Sequence, residues 1–123
     1  MQYMMMFYEN EAEFAKRDSA TESGPYWGAW NAYIGAMGQA GIIVRGDGLL
    51  PPAAATTVRL ANGEREVQDG PVLASKEQLG GYFVIDVPDL DTALSWAARS
   101  PNAGAGATEL RPVLPAPQSE GAV

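Results

Sequence analysis

Residues 69–87, DGPVLASKEQLGGYFVIDV, change character twice. They open as a turn at Asp69-Gly70-Pro71, pass through charged and small residues, and end in Tyr82–Val87, which is mostly apolar on both alternating faces yet carries Asp86. A run of that kind reads as a strand in the interior of a sheet. Gly80-Gly81 leads into it, and Pro88-Asp89-Leu90-Asp91 follows as a helix start. Asp89 suits the N-cap, Asp91 complements the positive helix end, and Leu90, Ala93, Leu94 and Ala97 form the stripe to be buried. Pro101 and the Gly/Ala run at 103–107 end that helix. Thr108–Val113 then reads as a last strand, with Pro112 arguing for an edge or a strand end.

Upstream, TTVRLANGEREVQDG (56–70) holds Asn62-Gly63 between alternating segments. This is the strongest short hairpin signal, and a two-residue type I′ loop fixes the register. Val58 then faces Val67, Arg59 faces Glu66, and Thr56 faces Asp69. Thr57, Arg59, Glu64, Glu66 and Gln68 are expected on a solvated face, with an Arg59–Glu66 cross-strand pair. Val58, Leu60 and Val67 form an apolar face that ends in Thr56 and Asp69.

In the first part of the chain QYMMMFY (2–8) is apolar on both faces, so it is expected to be a central strand with helices over one face and another body, such as a partner subunit, over the other. Asn10 with Glu13 resembles a capping box and predicts a short helix toward Arg17. Beyond Pro25, the spacing of Trp27, Trp30, Ile34 and Met37, with Tyr26 and Tyr33 alongside, predicts a helix that Gly41 stops. Ile42–Arg45 is a strand, and Gly46–Ala55 reads as a turn and an irregular run, with Asp47 as a turn residue.

The order β-α-β, hairpin, β-α-β is the ferredoxin-like pattern: an α+β fold with an antiparallel sheet and its helices on one face. Residues 1–114 are expected to form a single domain, and the polar, proline-rich 115–123 a frayed tail.

The 123 residues carry a net charge of −7, with neither Cys nor His. Disulfides and thiolate chemistry are therefore excluded, as are His general bases, Ser-His triads and His/Cys zinc sites within one chain. A metal would need a cluster of hard oxygen ligands, and no loop has the spacing to hold one, so neither metal nor cofactor is expected. The acidic balance opposes a phosphate backbone, so no direct nucleic-acid partner is expected. No basic leader or apolar span marks the N-terminal segment, and a cytoplasmic location without membrane contact is expected.

The segments Asp69-Gly70-Pro71-Val72, Leu73–Tyr82 and Val87-Pro88-Asp89-Leu90-Asp91-Thr92-Ala93-Leu94 resemble the DGPF-type signature of the YCII-related group. Trp30–Gly41 and Gly46–Pro52 are similar to the same family, so the resemblance covers nearly the whole chain. It implies a dimeric α+β barrel-like assembly and a link to sigma-factor-associated transcription regulation. Relatives of the YCII type are proposed to use a His-Asp pair, and this chain has no His to match it. Val72 stands where the motif has Phe, which predicts a smaller apolar contact beside the turn.

The charged groups of the opening stretch give the candidate ligand-binding residues Asp69, Lys76, Glu77, Tyr82 and Asp86, with 69–77 closing over a pocket on the sheet. Each has a plainer reading. Asp69 can fix its turn, Lys76 and Glu77 can be solvated, and Asp86 can sit at a strand end. The functional reading is a homodimeric small-molecule-binding or accessory domain. The alternatives are a proton-transfer lyase or isomerase using Asp69 or Asp86 as base and Tyr82 or Lys76 as acid, or a protein–protein module.

Overall fold

β1 (Gln2–Asn10) alternates strictly, with Tyr3, Met5, Phe7 and Glu9 buried and the residues between them half-buried. The computed structural model describes residues 1–116. Of the expected tail at 115–123, residues 117–123 lie outside the described residues.

Asn10 ends β1 and caps α1 (Glu11–Ala15), its Oδ1 accepting from the Glu13 N–H at 2.9 Å. A 3-10 turn, Lys16–Asp18, carries the chain toward α2 (Ser23–Ala40). Pro25 lies inside the first turn of α2 rather than before it. The position is tolerated because N–H groups there have no intrahelical acceptor to lose. Gly41 closes the helix at φ 70°, with Gly41 N–H donating to the Gly38 carbonyl and Ile42 N–H to that of Met37, the paired bonds of a Schellman motif.

β2 (Ile43–Gly48) runs three residues past the expected end. Gly46, Asp47 and Gly48 pair with Phe83, Tyr82 and Gly81, so Asp47 is a strand residue and not a turn residue. Gly46 permits this pairing, since a Cβ there would stand 2.2 Å from the Phe83 ring. β3 (Thr56–Ala61) and β4 (Glu64–Asp69) form the hairpin in the expected register, with Asn62 and Gly63 at φ 52° and 78°. β5 (Glu77–Asp86), α3 (Leu90–Ala98) and β6 (Ala107–Pro112) complete the chain. Asp89 caps α3 as expected, its Oδ1 accepting from the Thr92 N–H at 2.8 Å and the Thr92 hydroxyl at 2.7 Å.

The main sheet has the antiparallel order β2-β5-β1-β6, which makes the fold α+β and ferredoxin-like, with Pro112 at the end of an edge strand. The helices cover one face, where Tyr3, Met5, Phe7, Ile85 and Val87 pack against Trp30, Tyr33 and Met37 of α2 and Ala93 and Ala97 of α3. The other face of β1 carries Met4, Met6 and Tyr8, which remain half-exposed in the single chain, so nothing among the described residues fully covers them.

The hairpin is a separate two-stranded sheet, and here sidedness differs from the expectation. Val58, Leu60 and Val67 are exposed, whereas Thr57, on the face read as solvated, is buried and donates to the Gly70 carbonyl at 2.8 Å. Two strands alone have no second layer to cover an apolar face. Arg59 and Glu66 face each other but form no ion pair among the described residues.

Candidate functional site

Glu9 continues the inward alternation of β1 past Phe7 and places a carboxylate where the next core residue would stand, 2% exposed. A buried carboxylate is tolerated only when hydrogen-bonded and charge-compensated. The Tyr26 hydroxyl lies 2.8 Å and 2.7 Å from the two Glu9 oxygens, and Arg17 Nη2 donates to Oε1 at 3.3 Å. Arg17 also donates through Nε to the Tyr26 oxygen at 3.1 Å, through Nη1 to the Leu49 carbonyl, and through Nη2 to the Gly80 carbonyl at 3.1 Å. Its guanidinium lies 4.8 Å from the Phe14 ring centroid and 5.6 Å from that of Trp27, cation–π geometry that shields it from water. Burial, reinforced by the bond to Glu9, pushes the Tyr26 hydroxyl up to about 12. It is therefore a fixed donor at neutral pH.

Local backbone geometry makes this network possible. Phe7 faces Gly81 and Tyr8 faces Leu79, leaving Gly80 as the extra residue of a β-bulge. A Cβ on Gly80 would stand 2.9 Å from Arg17 Nη2 and 3.0 Å from Glu9 Oε1, so glycine is what lets the ion pair reach the strand. The bulge also turns the Gly80 carbonyl to accept from both Arg17 and the Leu49 N–H.

Beside this network a cleft of about 90 Å³ opens between α2 and the β2/β5 edge. Trp27, Trp30 and Ile34 form its helical wall, Phe7 and Phe83 the sheet side, and Glu9, Arg17 and Tyr26 its polar end. Phe7 meets Trp30 edge to face at 4.9 Å, which fixes both rings. The cleft is thus mostly apolar, with the Glu9 cluster at one end and the Asp47–Tyr82 pair at its border, the usual composition of a small-ligand pocket.

The residues expected from the sequence are not gathered here. Tyr82 borders the cleft, but it is directly opposite Met6, on the sheet face away from the helices, and its hydroxyl donates to Asp47 Oδ2 at 2.7 Å. That bond holds the Tyr82 hydroxyl above its ordinary value. Lys76 lines a separate groove with Pro51, Pro71 and Ser75. Asp69 is exposed at the hairpin base, and Glu77 is exposed opposite Asn10. Asp86 lies at the other end of β5, roughly 30 Å from Glu77 at the rise of an extended strand, where it pairs with the Met1 amino group at 3.2 Å. The segment 70–76 is mainly exposed rather than folded over the cleft.

The DGP turn has a structural role. Gly70 adopts φ 103°, which disfavours any side chain, and its N–H donates to the Ala55 carbonyl at 2.7 Å, closing the hairpin base. Val72 is 58% exposed, so only a minor part of its apolar surface is covered beside the turn.

Sequence reasoning passed over Glu9, Arg17 and Tyr26. The one available signal was the charge at position 9, in phase with Tyr3, Met5 and Phe7. Among the described residues, no three His, Cys, Asp or Glu side chains are grouped to hold a metal ion.

A match to the YCII-related domain spans residues 1–117. The chain belongs to the YCII-related family. An uncharacterised protein of Rhizobium meliloti (strain 1021) is 45% identical over 67 residues, which is 53% of this chain and 54% of that protein. The match therefore spans about half the length of that curated relative. Among solved structures, this YCII-related chain is similar to 5-chloro-2-hydroxyhydroquinone dehydrochlorinase (TftG) from Burkholderia phenoliruptrix AC1100, in a complex with 2,5-dihydroxybenzoquinone. The TM-score is 0.54 over 93% of this chain and 94% of that one, at 15% identity, a likeness of fold. No helix among the described residues of the YCII-related chain is long and apolar enough to cross a membrane.

Proposed function

We propose that this YCII-related chain binds a small molecule in the cleft between α2 and the β2/β5 edge, with Glu9 as the polar group that orients it. The observation that carries this reading is the Glu9 carboxylate, 2% exposed, held by Tyr26 and Arg17 at the end of a mostly apolar cavity. A buried ion pair is weak support for stability, because apolar residues of similar volume often serve as well. Its position at a cavity favours a role in recognition.

A second reading is a proton-transfer lyase or isomerase that uses a carboxylate in place of His. Glu9 would accept the proton, and Tyr26, held protonated to about pH 12, would remain a donor beside it. The likeness in fold to a dehydrochlorinase supports this class without assigning its substrate. The DGP turn supports placement in the DGPF-type subgroup, and with it a cytoplasmic accessory role linked to sigma factors. The half-exposed Met4, Met6 and Tyr8 support a homodimer through the open sheet face.

A thermal-shift screen of the purified protein against several hundred small metabolites tests the binding reading. A ligand that prefers the folded state raises the midpoint by mass action. We expect at least one such compound, with the shift lost in Glu9→Gln and reduced in Trp27→Ala. Hits that persist in both variants would place the site elsewhere.

A further inference from the structure

We infer that the ligand of this cleft is an uncharged ring compound that donates a hydrogen bond, through a ring hydroxyl or a ring N–H, to Glu9. The inference rests on the cleft being the binding site. It follows from what the polar groups there have left to offer.

Arg17 is the cation of the cleft, and four hydrogen bonds already engage its side chain: to Glu9, Tyr26, Leu49 and Gly80. A guanidinium has five N–H donors, and the Arg17 side chain is only 12% exposed. One N–H, the second on Nη1, is left over, so an oxyanion entering the cleft could gain a single Arg17 bond without breaking those already made. The Tyr26 hydroxyl has one proton, already directed at Glu9. On the sheet wall, the N–H of Leu49 is committed to the Gly80 carbonyl. Most of these donors are therefore in use; one Arg17 N–H and the Trp30 indole N–H make no hydrogen bond among the described residues.

Acceptor capacity remains. An ionised carboxylate has about four lone-pair positions, whereas Glu9 receives one N–H from Arg17 and the single Tyr26 proton. The cleft consequently rewards a donor. Charge narrows the choice further, because Glu9 and Arg17 cancel within 3.3 Å of each other, and Asp47, which also borders the cleft, is opposite Tyr82 and accepts the hydrogen bond of the Tyr82 hydroxyl. An organic cation would face Arg17 as closely as Glu9 and gain little, and an anion would set one free Arg17 N–H against the charge of the Glu9 carboxylate. Shape supplies the remaining condition: the rings of Phe7, Trp30, Trp27 and Phe83 offer edges and faces to a flat ligand, and about 90 Å³ admits one compact ring.

The probes are four compounds of one ring size, phenol, anisole, benzoate and benzylammonium, titrated into the intact protein at pH 7.5. Tryptophan fluorescence and calorimetry report binding. We expect phenol to bind at least tenfold more tightly than anisole, which has the ring and the oxygen but no donor, and tighter still than either ion. In Glu9→Gln that preference should fall below about threefold. Equal binding of phenol and anisole would overturn the donor assignment while leaving the cleft as the binding site. Preference for benzoate or benzylammonium would overturn the uncharged class. Failure of all four to bind would remove the cleft reading and this inference with it. The wild-type series decides the question even where Glu9→Gln folds poorly, and Tyr26→Phe, which keeps the Glu9–Arg17 pair, should retain the preference for phenol.

Discussion

The polar end of the cleft and the β3–β4 hairpin hold their shapes by opposite means. At the cleft, two side chains, from the turn after α1 and from α2, meet around one carboxylate of β1, and a bulged glycine of β5 makes room for them. Its geometry depends on segments far apart in sequence. The hairpin depends on two residues, Asn62 and Gly63, whose positive φ angles set the register of twelve others, and its large apolar side chains remain in solvent. Tertiary contacts thus fix the region suited to bind, and local turn chemistry fixes the arm beside it. A substitution in the first region should be felt across the fold, and one in the second should stay local.

The largest test is Glu9→Ala. It leaves the Arg17 guanidinium buried without its counter-charge, which typically costs on the order of 3–5 kcal/mol. Urea denaturation should show a loss of that size, and Glu9→Gln, which keeps hydrogen-bonding atoms, should lose less. A loss below about 1 kcal/mol would mean that Arg17 finds water or another partner, and the contrast between the regions would fail.

Two glycines sharpen the comparison at the next level. Gly80→Ala pushes a Cβ against Arg17 Nη2, Glu9 Oε1 and the Phe14 ring at 2.9, 3.0 and 3.2 Å, an overpacking that costs about 1–3 kcal/mol. It should also weaken any cleft ligand. Gly63→Ala has open space around its Cβ but places alanine at φ 78°, costing about 1–2 kcal/mol through the backbone alone. Amide exchange should quicken throughout β1, β5 and α2 in the first variant and within 56–69 in the second.

Titration separates the regions more gently. Tyr26 has a folded value of about 12, above its ordinary value of 10. The stability tied to its protonated form is fully present below pH 10 and is lost as pH rises through 12. Wild type should therefore lose stability across that alkaline interval more steeply than Tyr26→Phe, as read from urea midpoints at successive pH values. Parallel curves would show that Tyr26 ionises in the folded state as easily as in the unfolded one.

The same division explains what was legible in the sequence. Asn62-Gly63, the Asn10 and Asp89 caps and the Gly41 stop act within a few residues, and each is found where the sequence places it. The alternation of β1 could be read as well, but which side was covered could not, because coverage is decided by helices 20–90 residues away. For the same reason Val58, Leu60 and Val67 read as an inward face and are exposed. Asp47 read as a turn residue because two glycines flank it, when Gly46 is there to admit the Phe83 ring. The candidate site was the least visible part. The conspicuous charges at 69–77 are exposed, while Glu9, Arg17 and Tyr26 are separated by intervals that signal nothing until the strand, turn and helix are packed together.

Asp69→Asn should have the smallest effect and bears most directly on that point. Asp69 opens the DGP turn, but the bonds that close it are made by the backbone of Gly70, with the N–H donating to Ala55 and the carbonyl accepting from Thr57. Among the described residues the Asp69 carboxylate receives no hydrogen bond and forms no ion pair, and its side chain is exposed on the arm rather than in the cleft. A surface substitution of this kind usually changes stability by less than about 0.5 kcal/mol. Asn also retains the side chain's shape and its tolerance of turns. We expect the urea midpoint and the affinity for phenol to match wild type within error. If Asp69→Asn instead weakened phenol binding several-fold, the hairpin base would have to take part in forming the site. The division between a binding region held by distant contacts and an arm held by its own turn would then be wrong at the base of the arm.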